Sequence, residues 1–172
     1  MAVRYPAELE GEIVVRGGVR LPLRPIRPDD APLLIRFFES LSERSRYQRF
    51  MHHLQELPPD LLERLTKVDY QRALGLVVLD PEKREFVAVG RYAPTEAGAN
   101  AEFALTVADA WQAKGIGREL LARLCDLARR AGYKALHGRV LDGNREMLEL
   151  ASKLGFRLAG REGAELIVVR DL

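Results

Sequence analysis

The 172-residue chain is 30% charged and 47% hydrophobic, with a formal net charge of +2. These values place it among soluble globular proteins rather than disordered chains, and a charge this small does not imply broad nucleic-acid binding. No apolar run approaches the roughly 20 residues of a membrane helix, and MAVRYPAELEGEIVV lacks the continuous apolar stretch of a secretory signal. The single cysteine, Cys125, rules out an internal disulfide framework and fits a reducing cytoplasm. One domain over residues 1–172 is expected.

In chain order, GEIVVR (11–16) and RLPLRP (20–25) read as short strands around a Gly17-Gly18 turn. Pro28-Asp29-Asp30 opens a helix whose apolar face is Leu33, Leu34, Phe37, Phe38 and Leu41. The highly charged segment Ser42 to Phe50 predicts a second helix with Ser42 as its cap. Pro58-Pro59-Asp60 starts a third through Leu61, Leu62, Leu65 and Val68. Strands follow at 74–79 and 85–92, joined by the Asp80-Pro-Glu-Lys turn. After the polar loop Thr95 to Asn100 comes a strand in which Phe103, Leu105 and Val107 alternate with Glu102, Ala104 and Thr106. A helix is expected from Gly117, with Leu120, Leu121, Leu124, Ala128 and Ala131 on one face. Then come a strand at 135–141, a helix at Asn144 and a last strand at 165–170.

Between the Glu102 strand and its helix lies Gln112-Ala113-Lys114-Gly115-Ile116-Gly117-Arg118. Two residues without side chains stand where helix-start amides are unpaired, so this loop suits an anion, best a phosphate. A dinucleotide fingerprint needs a third glycine where Leu120 stands, and the nucleotide-triphosphate loop spacing is absent. The loop resembles instead the Gln/Arg-x-x-Gly-x-Gly/Ala loop of the GNAT acetyltransferases, which cradles the pyrophosphate of acetyl-CoA. Asn144-Arg-Glu-Met-Leu-Glu-Leu-Ala-Ser-Lys-Leu-Gly155-Phe156 is similar to the family's Asn-containing helix ending in Leu-Gly-Phe. More closely, Leu23-Arg-Pro-Ile-Arg-Pro-Asp-Asp30, Ser40 to Tyr47 with Arg49-Phe50, Asp69-Tyr70, Gly90-Arg91 and Ala101-Glu-Phe-Ala104 resemble the Pat-type protein lysine acetyltransferases. In many bacterial relatives of that type the domain is fused to a synthetase-like domain or a nucleotide sensor.

The resemblance implies an α+β GNAT fold: a mostly antiparallel sheet of about six to seven strands, flanked by helices and splayed at the acetyl-CoA site. It implies that acetyl-CoA lies along Leu105, Thr106 and Val107, with its pyrophosphate on the amides from Gln112 to Arg118 and Asn144 bonding the pantetheine arm. A lysine amine is mostly protonated at neutral pH, so a carboxylate near it is needed to take the proton. Glu102 holds the position of the general base in Pat-like enzymes, and a partly apolar setting is expected to raise its pKa. A backbone N–H near Leu105 to Val107 is the expected oxyanion donor. Many GNAT enzymes protonate the leaving sulfur from a tyrosine where this chain has Ala151, so the general acid is unassigned. Cys125 reads as core, His52, His53 and His137 as structural or surface residues, and no spacing supports a metal. The expected acceptor is a lysine on a folded protein such as an acyl-CoA synthetase, bordered by the charged Ser42–Phe50 segment. Arg44, Arg46 and Arg49 are candidate contacts for an acidic partner surface, a solvated helical face being the default reading. A small-molecule amine acetyltransferase and a non-catalytic acyl-CoA-binding module are the alternatives. Oligomeric state stays open, a homodimer included.

Overall fold

The computed structural model describes residues 3–172. Its centre is an eight-stranded sheet in the order β1-β2-β3-β4-β5-β6-β8-β7. The strands are β1 (Gly11–Val14), β2 (Arg20–Pro25), β3 (Leu74–Leu79), β4 (Phe86–Pro94), β5 (Ala101–Val107), β6 (Ala135–Leu141), β7 (Arg157–Glu162) and β8 (Glu165–Asp171). The helices are α1 (Ala31–Ser40), α2 (Glu43–Phe50), α3 (Pro59–Thr66), α4 (Ile116–Arg130) and α5 (Arg145–Lys153).

The expected six to seven strands become eight because β7 joins the sheet edge. Its residues are almost all exposed and pair only with β8, across an irregular register between Leu158 and Gly160. Such an edge strand lacks the apolar alternation by which buried strands are read. The first strand ends at Val14 rather than residue 16, and Pro28–Asp30 forms a 3-10 turn ahead of α1. Ser42 does cap α2, its Oγ accepting from the Ser45 amide.

Each face of the sheet carries its own core. On one, Leu120, Leu121, Leu124, Cys125 and Ala128 of α4 pack with Tyr92, Phe103 and Leu105. The close seating depends on Gly90, where a Cβ would stand 2.9 Å from Leu120. On the other face, Leu34 and Phe37 of α1, Leu41 at its C-cap and Leu65 of α3 pack on Ile26, Val77 and Phe86. The central strand β3 is buried on both faces, which explains its unbroken LGLVVL run.

Two of the sequence segments quoted above turn out to be scaffold. In Leu23-Arg24-Pro25 the guanidinium donates to both carboxylate oxygens of Asp30 at 2.8 Å, and Asp30 also accepts from the Arg27 amide at 2.7 Å. This pair ties β2 to the start of α1 in a nearly solvent-free position. In Asp69-Tyr70 the carboxylate accepts from the amides of Gln71, Arg72 and Ala73, and the Tyr70 hydroxyl donates to Ile26 at 2.7 Å.

Candidate active site

All neighbours in the sheet are antiparallel except β5 and β6, which pair in parallel through Ala101–Leu136, Glu102–His137 and Phe103–Gly138 only. Beyond Phe103 the two strands part. The Ala108 amide donates to Val87 on the β4 side, so strand alternation turns the N–H groups of Leu105 and Val107 toward the opened edge. The opening forms a groove of about 630 Å³ that runs from Glu102 and Arg139 to the loop before α4. Leu105, Thr106, Val107, Gln112, Ala113, Gly115, Ile116, Gly117, Arg118 and Asn144 all line it. Lys114 belongs to the loop but does not face the groove.

The loop is built to leave its amides open. Ala113 and Gly115 take left-handed conformations, at φ 62° and φ 90°. Gly115 is the N-cap, so α4 starts at Ile116, one residue earlier than expected. No backbone amide from Ala113 to Arg118 finds an acceptor among the described residues. The carbonyls are held the other way, because Arg16 donates through its amide to Lys114 and through its side chain to Ala113. Arg16 sits in the turn after β1, nearly a hundred residues away, and no local pattern in the sequence announces this tie. Open amides at a helix start, with Arg16 and Arg118 beside them, make an anion cradle.

Gln112 and Asp109 brace this cradle against α2. The Gln112 side-chain Nε2 donates to the Val107 carbonyl at 3.0 Å and to the Ser45 hydroxyl at 3.4 Å. Asp109 accepts from the Ser42 amide and from both the Ser42 and Ser45 hydroxyls. Burial pushes the Asp109 carboxyl up, but the hydrogen bonds from Ser42 and Ser45 prevail and hold it below its ordinary value. Asn144 caps α5 by accepting from the Met147 amide through Oδ1, which leaves its side-chain N–H₂ available to the groove.

At the other end of the groove Glu102 is half exposed, and its Oε1 lies 3.3 Å from Arg139 Nε. Arg139 also pairs with Glu162 at 2.7 Å and Glu165 at 3.5 Å. The setting is thus ionic rather than the partly apolar one expected, because β6 and the β7–β8 hairpin bring charges that the β5 pattern alone does not reveal. The side chains of Glu102, Ala104 and Thr106 share a face with Arg91, which stands opposite Ala104 on β4. Arg49 of α2 reaches over this face and stacks on Phe50 at 4.6 Å. Burial and the neighbouring Arg91 push the Arg49 guanidinium down to about 10, and Glu102 counters this.

Other candidates resolve into structure. Arg46, expected on a docking surface, donates to the carbonyls of Phe38, Glu39 and Gln55 and covers the Phe38 ring, closing the end of α1. Arg44 is exposed. Ala151 is buried in the core, and no tyrosine lines the groove. Burial pushes the Cys125 thiol up, as befits a core residue. His52 and His53 are exposed, His53 stacking on Tyr47. No cluster of metal-ligating side chains occurs among the described residues, and none of their helices is long and apolar enough to cross a membrane.

Residues 20–157 match the acetyltransferase (GNAT) domain family. An acetyltransferase of Pseudomonas aeruginosa is 35% identical over 156 residues, covering 87% of this chain and 83% of its own. The acetyltransferase Pat of Mycolicibacterium smegmatis is 32% identical over 152 residues, and the match spans 83% of this chain but 43% of Pat. Among solved structures, the GNAT domain of S. lividans PAT superposes with a TM-score of 0.92 at 30% identity, covering 98% of this chain and 100% of that one. The parted strands, the open helix-start amides and these likenesses agree, and the chain belongs to the GNAT acetyltransferase family.

Proposed function

We propose that this chain transfers the acetyl group of acetyl-CoA to a lysine on a folded protein, with Glu102 as general base. The observation that carries this reading is the single groove that joins the open amides of Ala113 to Arg118 to the Glu102 carboxylate. The pyrophosphate sits on those amides, pantetheine runs along Leu105 to Val107, and Asn144 donates to its polar arm. The thioester then lies where β5 and β6 part, within reach of the Leu105 and Val107 N–H groups that would receive the oxyanion. The amine forms its N–C bond to the carbonyl carbon, Glu102 takes the ammonium proton directly or through water, and the C–S bond breaks to release CoA thiolate. A thiolate of ordinary thiol acidity leaves without an assigned acid, consistent with the absence of a groove tyrosine.

Support for a protein acceptor comes from the likeness to Pat of M. smegmatis and to the S. lividans PAT domain. An acyl-CoA synthetase is the acceptor that this resemblance favours. Incubating the protein with a cell lysate and isotopically labelled acetyl-CoA, followed by mass spectrometry, tests the reading. Label on specific protein lysines is the expected result. Label confined to free amines, with no protein modified, would reject it.

A further inference from the structure

The guanidinium groups of Arg49 and Arg91 have no ion-pair or hydrogen-bond partner among the described residues, Arg49 only stacking on Phe50. Both line a cavity of about 30 Å³ between α1, α2 and the β4–β5 face, walled by Phe37, Phe38 and Phe50 and floored by Ala104 and Thr106. That is room for about one or two waters or a group of similar size. Arg49 and Phe50 line the main groove as well, so the cavity opens toward Glu102. Burial disfavours the charge on each guanidinium; Arg91 adds to the penalty at Arg49, and Arg64 adds to it at Arg91. The compensating carboxylate is Glu102, yet Glu102 is already engaged by Arg139 at 3.3 Å. Positive charge is therefore in excess at a half-buried, partly apolar spot, the arrangement that recruits an anion.

We infer that Arg49 and Arg91 form a subsite for a carboxylate carried by the acetyl acceptor itself, close to its reacting amine. This rests on the acetyl-transfer reading above. Arg91 faces Ala104 and Glu102 faces Ala93, so the two lie on one face, a diagonal step apart. Such a step is about 7–8 Å between the two backbone positions, the same order as the span of a lysine from its amine to its own carboxylate or to an acidic neighbour. The confined space suits a planar carboxylate better than a tetrahedral phosphate, and a guanidinium grips a carboxylate through parallel hydrogen bonds. Two sources share this chemistry: an Asp or Glu beside a protein lysine, and the α-carboxylate of a free amino acid.

The test is calorimetric titration of the CoA-saturated protein with matched acceptors, so that it reads binding independently of turnover. One pair is a blocked Glu-Lys peptide and its Gln-Lys counterpart; the other is free lysine and lysinamide. The acidic member of one pair should bind about tenfold more tightly, the scale of one charge-assisted hydrogen bond, and the pair that shows this names the source. Arg49→Met and Arg91→Met should each abolish the preference, whereas Arg36→Met, removing an exposed charge from α1, should preserve it. Two arginine variants keep the test decisive if one fails to fold. Equal binding within both pairs, or a preference that survives in the arginine variants, overturns the subsite. Turnover of the same acceptors is scored separately, so loss of the subsite and loss of the acetyl-transfer reading are distinguishable.

Discussion

The ring of Phe103 lies across the bare backbone of Gly138, the residue opposite it in the last register pair before β5 and β6 part. A Cβ at Gly138 would stand inside the ring's contact distance, and Phe156 holds the ring in place edge-on at 5.3 Å. The aromatic thus sits as a wedge at the root of the groove. Gly138→Ala should cost about 1–3 kcal/mol through overpacking, read as a lowered melting temperature. A wild-type melting temperature would show that the ring is free to move aside.

The Arg24–Asp30 pair should rank among the costliest polar contacts to break. Asp30 is 3% exposed and receives bonds from Arg24 and the Arg27 amide. Asp30→Ala leaves a buried guanidinium uncompensated, and the expected loss is about 3–5 kcal/mol in urea unfolding. By contrast, Asp126→Ala on α4 removes ion pairs to Arg129 and Arg130 that are open to solvent, and should change stability by less than about 1 kcal/mol.

The groove loop and the Glu102 strand were legible in the sequence because their signals are local. Glycine spacing, strand alternation and the Asn144 helix pattern each depend on residues a few positions apart. What escaped was either exposed or distant in the chain. β7 has no apolar rhythm because an edge strand here buries almost nothing. Arg16, which turns the Lys114 and Ala113 carbonyls away, and Arg139, which engages Glu102, act across long sequence separations. Arg46 reads as a surface charge until the end of α1 is seen beneath it. α2 was therefore legible as a capped, charged helix, but the contacts its arginines make were not.

Asp109 links α2 to the loop, and its linkage to pH has a definite sign. Its carboxyl is held below its ordinary value in the fold, so its contribution is fully present above the unfolded pKa near ~3.9. That contribution fades as pH falls through the lower folded pKa. Asp109→Asn should lower the melting temperature at pH 6, and the gap to wild type should close progressively below about pH 4. A gap that is constant from pH 7 to pH 3 would remove the carboxylate's charge from the explanation.

Gly115 and Gly117 should serve phosphate binding for different reasons. Gly115 adopts φ 90°, which a β-branched residue resists, although a Cβ there meets nothing. At Gly117 a Cβ reaches ordinary contact with Leu150 and Leu105, so the added methyls of valine, rather than the Cβ, would crowd the groove. Gly115→Val and Gly117→Val should each weaken CoA binding by about tenfold or more in calorimetric titration. Wild-type affinity in both would move the pyrophosphate off this loop.

The most direct measurement is the turnover of Glu102→Gln beside its affinity for acetyl-CoA. The amide keeps the shape of the side chain and a hydrogen bond to Arg139 but cannot take the ammonium proton. Lysine acetylation should fall about 10²–10⁴-fold in kcat while acetyl-CoA binding stays at the wild-type value. Undiminished turnover across the pH range, with the cofactor bound as before, would contradict Glu102 as the base.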